Sequence, residues 1–319
     1  MYQKKQLIKN LNNEDIVNDI FVIKSKKNVI SYANKTKFRF ELRVADSSGE
    51  IDLKYWGSND HNEVQSIHSV IKENSVIQVV GKINEFNNIL EISTNQIKIL
   101  NETEFDSSSF IEKNNKNIEE MFQKLNDHLD SITDLELKQL VKTFLQDQLF
   151  VNKFKTWPGS NYRHHAYIGG LLEHTLNVME ISLRISKNNP ELNQDLLVIG
   201  SFLHDIGKLK SLSLSISIKT TNEGITQGTQ LLGLKLFEDK IKSLHIPKQI
   251  LLKLQNIILS SPGKKEYGAI KLPLTPEALT ISLAKETDTK INSMLKIRSN
   301  SETDQDFVYN KEFGNVYLK

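Results

Sequence analysis

The side chains in this sequence best suited to chemistry fall between His164 and Lys208. The segment opens His164-His165-Ala166-Tyr167-Ile168-Gly169-Gly170-Leu171-Leu172-Glu173-His174 and continues as an apolar run of helical period. After Pro190 comes a second apolar run, Leu196 to Leu203, closed by His204-Asp205-Ile206-Gly207-Lys208. Two histidines and a carboxylate thus stand near the ends of two expected helices. Imidazole nitrogen and carboxylate oxygen suit a first-row transition ion, and antiparallel packing of the helices would bring His174 beside His204 and Asp205. A histidine in an apolar helix is more often a satisfied core residue. The added weight here comes from the combination: Gly-Gly before one helix, Leu-His-Asp closing the next, Gly-Lys after it. The two glycines let a helix or ligand approach the backbone closely.

The elements ahead of this segment change character twice. Lys37 to Val44 and Ile51 to Trp56 alternate apolar and polar residues, the period of half-buried strands, with a turn at Asp46–Gly49 between them. A first strand spans Ile16 to Ile30 and is broken near Ser25–Lys27. A short helix is expected over 62–72. Two further strands, Ser75 to Ile83 and Ile89 to Leu100, flank a hairpin turn at Glu85–Asn88. Five strands with a helix between the third and fourth is the order of an OB-fold barrel, which binds single strands through basic grooves and stacked aromatics. Lys35, Lys37, Arg39 and Arg43 are the expected backbone contacts, with Tyr55, Trp56 and Phe86 as stacking surfaces; Phe38 and Phe40 face the barrel interior. Residues 101–117 are acidic, then Ser/Asn-rich, and read as a linker without a core. From Ile118 to Leu145 the period is helical and predicts two or three helices. The aromatic tail, Phe307 to Tyr317, is expected to pack back on the body. The fold class is therefore α+β multidomain: an OB-fold barrel over 1–100, a linker over 101–117 and an all-α helical domain over 118–319.

The stretch His-His-Ala-Tyr-x-Gly-Gly-Leu at 164–171 and the pair His204-Asp205 resemble the HD-domain metal-dependent phosphohydrolases. With Phe38-x-Phe40-x-Leu42, Asp46-x-x-Gly49-x-Ile51 and Trp56 in the barrel, the likeness narrows to the YhaM family of 3′-to-5′ exoribonucleases and spans nearly the whole chain. The resemblance implies His174, His204 and Asp205 as ligands of a divalent metal such as manganese, and Lys208 and His165 as phosphate contacts. It implies trimming of single-stranded RNA or DNA.

Several of the family's later ligands are replaced here. Leu234 stands where a histidine is expected, Ser261 and Pro262 where two are, and Lys285 where the final aspartate is. Exchanging a carboxylate for an ammonium moves the local charge by two, and each unit pair at 4 Å is worth about 4 kcal/mol at an effective dielectric of 20. An ammonium at the ion's place, paired with Asp205, makes the replacements mutually consistent. Asp288, one helical turn on, offers a substitute carboxylate only if the register shifts.

Three functions follow from these residues: a non-catalytic single-strand binder, alone or beside an active partner subunit; an active metal-dependent 3′-to-5′ exonuclease; and a hydrolase of small nucleotides. Lys285 favours the first. The 319 residues are 38% hydrophobic and 25% charged, as expected of a folded protein. The net charge of +2 is too small to identify a polyanionic partner, so any such surface must be local. Cysteine is absent, which excludes disulfides and thiolate chemistry. No apolar run approaches the ~20 residues that span a bilayer, so no membrane partner and a cytoplasmic location are expected. Homo-oligomerisation stays open at this point.

Overall fold

The computed structural model describes residues 1–32, 36–301 and 305–319. It divides into two compact units: residues 1–112 with the hairpin tip 215–217, and residues 113–214 with 218–319.

The first unit is a closed barrel. Its strands are β1 (Ile16–Lys26), β2 (Ile30–Tyr32), β3 (Lys37–Asp46), β4 (Gly49–Trp56), β5 (Val76–Phe86) and β6 (Ile89–Leu100), with helix α1 (His61–Val70) between β4 and β5. β1 pairs antiparallel with both β3 and β5, β3 with β4, and β5 with β6; β4 and β6 run parallel and close the ring. The short β2 adds to the free end of β3. Five long strands in that order, with the helix after the third, form an OB-fold barrel. Alternation sends Phe40, Leu42, Val44, Ile51, Leu53 and Tyr55 into one core with Val64 and Ile71. Asp60 caps α1 by accepting from the backbone N–H of Asn62 and Glu63. The β5–β6 turn is Asn87-Asn88, both with positive φ, which suits the twist of a two-residue hairpin.

The 101–117 stretch departs from the expected coreless linker. Phe105 and Phe110 are buried with Ile20, Val22, Val76 and Leu100 of the barrel. Three aromatic or aliphatic side chains in a polar context, Phe105, Phe110 and Ile111, bury enough apolar surface to hold the segment down.

The second unit is helical. α2 (Ile118–Asp130), α3 (Leu135–Leu145) and α4 (Gln148–Thr156) lead in, followed by α5 (Gly170–Ser186), α6 (Gln194–Leu203) and α7 (Lys208–Ser211). α8 (Asn222–Ile241) is kinked at Gly228; α9 (Lys248–Ser260) and the long α10 (Pro276–Asn300) complete the helices. Two short hairpins are added, β7 (Leu212–Leu214) with β8 (Ile218–Thr220) and β9 (Phe307–Asn310) with β10 (Gly314–Tyr317). One apolar core joins α2 to α6, α9 and α10 through Leu125, Phe144, Phe202, Ile257 and Ile281. After its polar first turn α6 is buried from Leu196 to Leu203, which explains the apolar run there. Among the described residues no helix is long and apolar enough to cross a membrane.

Candidate HD centre and nucleic-acid surface

Helices α5, α6 and α10 bring the chemical side chains together. His174 lies in the second turn of α5, His204 caps α6, Asp205 follows it, and Lys285 and Asp288 sit one turn apart on α10. The entry to α5 is fixed by the paired glycines. Gly169 has φ +85°, and a Cβ on Gly170 would stand 2.0 Å from the His165 carbonyl oxygen. No side chain larger than hydrogen fits there.

His174, His204 and Asp205 are fully buried and face one another. His204 Nδ1 donates to the Ser201 carbonyl at 2.6 Å, and His174 Nδ1 donates to Asp288 Oδ2 at 2.6 Å. Those bonds engage both Nδ1 atoms and turn both Nε2 atoms inward. The two Nε2 atoms are 3.2 Å apart and lie 3.3 and 3.4 Å from Asp205 Oδ2. Two imidazole nitrogens and one carboxylate oxygen at that spacing are a common ligand set for a first-row ion. The trio therefore fits one divalent ion in donor type and number.

Two ammonium groups of the chain compete for the same carboxylate. Lys285 Nζ donates to Asp205 Oδ1 at 2.8 Å and to Ser261 Oγ at 2.8 Å. Lys208 Nζ lies 2.5 Å from Oδ2, outside hydrogen-bonding geometry, so Oδ2 has no donor. Burial works against a charged Asp205, yet Lys208 and Lys285 hold its pKa well below the ordinary carboxylate range. Burial presses the Lys285 pKa down, against the raising pull of Asp205. Burial also lowers the His204 pKa to about 3, so that imidazole stays neutral. Two ammoniums against one carboxylate leave a positive charge at the floor of a cavity of about 600 Å³, which Asp205, Lys208, Lys285, Arg163 and His164 help to line. Two exposed carboxylates, Glu266 and Glu312, also line it. The later positions expected to supply further ligands hold none: Leu234 packs against the core and Ser261 bonds Lys285.

His165 does not reach the cavity as a phosphate contact. It is 1% exposed and lies behind the trio. Its Nε2 donates to Asp288 Oδ2 at 2.8 Å, and its Nδ1 donates to the Tyr167 hydroxyl at 2.8 Å, which in turn donates to Glu173 Oε2 at 2.6 Å. Both ring nitrogens thus carry hydrogen. Burial opposes that charge, but Asp288 and Glu173 overcome it and raise the His165 pKa. Asn177 Nδ2 donates to the remaining oxygen of Asp288, Oδ1, at 2.7 Å; Asn114 Nδ2 donates to Glu173 Oε2 beside Tyr167 at 2.6 Å, and Lys116 pairs with the remaining Glu173 oxygen, Oε1, at 2.7 Å. The network orients His174 in the way that a carboxylate behind a ligand histidine does. Tyr167, Glu173 and Asn114 were not read from sequence as site residues, and Asp288 was expected to enter only with a shift of register. A His-His pair between Gly-rich turns was their one local signal.

On the barrel the expected contact residues separate. Lys35 lies outside the described residues. Lys37 is exposed. Arg39 pairs with Glu41 at 2.8 Å, and Arg43 pairs with Glu50 and Asp52 at 3.3 and 3.1 Å, so the outward row of β3 and β4 is largely neutralised. Tyr55 is not a stacking surface: it is 8% exposed and stacks on Phe40 inside the barrel, with centroids 4.7 Å apart. Trp56 is half-buried, its Nε1 donating to Ser93 Oγ at 2.7 Å and its ring edge-on to Tyr32. Phe86 is 64% exposed at the β5–β6 turn.

Several solved structures are similar to part of this chain. The second OB-fold domain of replication protein A from Methanococcus maripaludis is 20% identical, with TM-score 0.25, over 31% of this chain and 94% of that one. A Thermoplasma acidophilum OB domain is 15% identical, TM-score 0.24, over 31% and 88%. A replication protein A heterotrimer bound to single-stranded DNA is 21% identical, TM-score 0.20, over 27% and 57%. The barrel assignment rests on the strand order given above. For the helical unit, residues 171–290, which carry His174, His204, Asp205, Lys285 and Asp288, match the family model described as HD domain.

Proposed function

We propose that this protein binds single-stranded nucleic acid, RNA or DNA, and that its HD centre holds a phosphate without cutting the strand. The observation that carries the reading is the Lys285 ammonium on Asp205 Oδ1 and Ser261 Oγ, both at 2.8 Å. It occupies the carboxylate with a cation that has no water to activate. A hydrolytic ion lowers the pKa of a bound water and offsets charge on the phosphate oxygens. A lysine supplies only the second of these. Lys208 and Lys285 together leave a positive floor suited to an anion. The barrel supplies strand affinity through Trp56, Phe86 and Lys37, in the manner of other OB folds.

A second reading, an active metal-dependent 3′-to-5′ exonuclease, is favoured by one observation: His174 Nε2, His204 Nε2 and Asp205 Oδ2 remain grouped closely enough to hold an ion. In that case these three would hold the ion, and Asp288 would orient His174.

One experiment separates them. Purified protein is mixed with end-labelled single-stranded RNA and Mn²⁺, and both anisotropy and products are followed. The proposal expects salt-sensitive binding with the label intact. Release of mononucleotides that depends on Mn²⁺ and is lost in His204→Ala sinks it in favour of the second reading.

A further inference from the structure

The cavity that holds Lys285 does not end at the HD centre. A neighbouring cavity of about 490 Å³ shares Arg163 and Glu312 with it and is walled by α10 and the C-terminal hairpin. That size falls among small-ligand pockets, roughly 300–1,000 Å³. Its charged wall is cationic: Arg163, Lys296 and Lys311 face one carboxylate, Glu312. None of the three cations is in a carboxylate ion pair among the described residues.

The hairpin beside it is aromatic on one face. Alternation along β9 puts Phe307 and Tyr309 on the same side, and the register sets Tyr317 opposite Phe307 and Asn315 opposite Tyr309. Phe307, Tyr309 and Tyr317 are 53%, 75% and 55% exposed, while Val316 on the other side is 4% exposed and anchors the hairpin. The Phe307 and Tyr317 rings lie 5.2 Å apart. Tyr162, 65% exposed, lines the cavity with the Arg163 guanidinium 5.4 Å from its ring. Water-facing aromatics at this density, bordered by unpaired cations, are the two halves of a single-strand groove: faces for bases and charges for backbone.

We infer that the C-terminal hairpin is a second single-strand contact, with bases stacked on Phe307, Tyr309 and Tyr317. The backbone follows Lys311, Lys296 and Arg163 into the pocket floored by Lys208 and Lys285. The inference rests on the strand-binding reading above and gives that strand its path through the helical unit. Stacking accepts any base, so the contact is indifferent to sequence. The HD centre alone would hold one phosphate; the hairpin makes it select a polymer over a free nucleotide.

The test uses the full chain and fluorescein-labelled oligouridylate, read by anisotropy at several salt concentrations. Phe307→Ala with Tyr309→Ala is expected to weaken binding about tenfold to a hundredfold, as lost base stacking does, with an unchanged salt slope. Lys296→Ala with Lys311→Ala is expected to flatten the log–log salt slope by about 1.4, the value for two phosphate contacts on a single strand. Tyr309→Phe keeps the ring and is expected to bind as wild type. Strands carrying 4-thiouridine are expected to photocross-link within residues 305–319. Wild-type affinity in the alanine variants, with strand binding intact, overturns the hairpin contact and leaves the barrel reading standing. Tyr309→Phe as weak as the alanine variant overturns stacking. A wild-type chain that binds no strand removes the underlying reading and this one with it.

Discussion

Lys285 Nζ stands 2.8 Å from Asp205 Oδ1, with the Ser261 hydroxyl bonded to the same ammonium at 2.8 Å. The lysine is 16% exposed along its side chain, so the pair is shielded from solvent without being sealed. In such surroundings an ion pair with good geometry persists, while loss of one partner leaves a costly buried charge. The geometry also sets a choice. A divalent ion on His174, His204 and Asp205 must share its carboxylate with one ammonium on each oxygen.

Lys285→Asp is expected to convert that competition into a fourth ligand. Mn²⁺ affinity, measured by calorimetry and by metal content after gel filtration, should rise at least tenfold, since both the repelling charge and the missing carboxylate are corrected. Unchanged metal content in a folded Lys285→Asp protein would show that Lys285 does not govern the centre.

The barrel residues should differ according to their exposure. Phe86→Ala is expected to weaken strand binding by about 1 kcal/mol or more, at the low end of what one stacked base contributes. Tyr55→Phe should leave it unchanged, because that ring lies against Phe40 in the core. Strand titrations of both variants check the pair, and equal losses would contradict the placement of Tyr55.

His165 gives the fold a pH dependence. Its folded-state pKa is raised by Asp288 and Glu173 above the unfolded value of about 6.5. The stability it contributes is complete below that unfolded value and is lost as pH rises through the folded pKa. Glu173 acts with the opposite sign. Burial opposes its charge, but His165, Lys116 and Tyr167 lower its pKa to about 2, so its contribution is present above about 4.5 and fades as pH falls toward 2. Melting temperatures from pH 5 to 9 should fall more on the alkaline side in wild type than in His165→Gln. Parallel curves would show that His165 is not charged in the folded state.

Gly170→Ala is expected to destabilise the protein by about 3 kcal/mol, because the new methyl would meet the His165 carbonyl at 2.0 Å and force the 159–170 backbone to shift. Denaturant unfolding measures it. Any strand affinity that depends on the HD pocket should fall with it.

Much of this was legible from residue order. Alternation in Lys37–Val44 and Ile51–Trp56 gave two barrel strands, and the same parity places Tyr55 with Ile51 and Leu53 inside, against its use as a stacking surface. Helical period and the Leu-His-Asp ending placed His174 beside His204 and Asp205. Other relations depend on distant partners. Arg39 and Arg43 look free along the chain, but strand pairing sets Arg43 opposite Asp52 and packs Arg39 over Trp56. Asp288 sits three residues from Lys285, yet the helical turn between them sends one carboxylate behind His174 and the ammonium to its front. Phe105 and Phe110 were hidden by their polar neighbours. Their burial depends on an apolar patch left open by β1, β5 and β6.

The ammonium beside Asp205 also has a meaning for how the pocket comes into being. A borrowed ion must be scavenged from the surroundings and can be stripped by a chelator or by scarcity. A charge borne on a side chain arrives with translation, in fixed proportion to the polypeptide. Under the proposed reading, a centre completed in that way is ready as soon as the helices close, whatever the nutrient supply of the cell that made it.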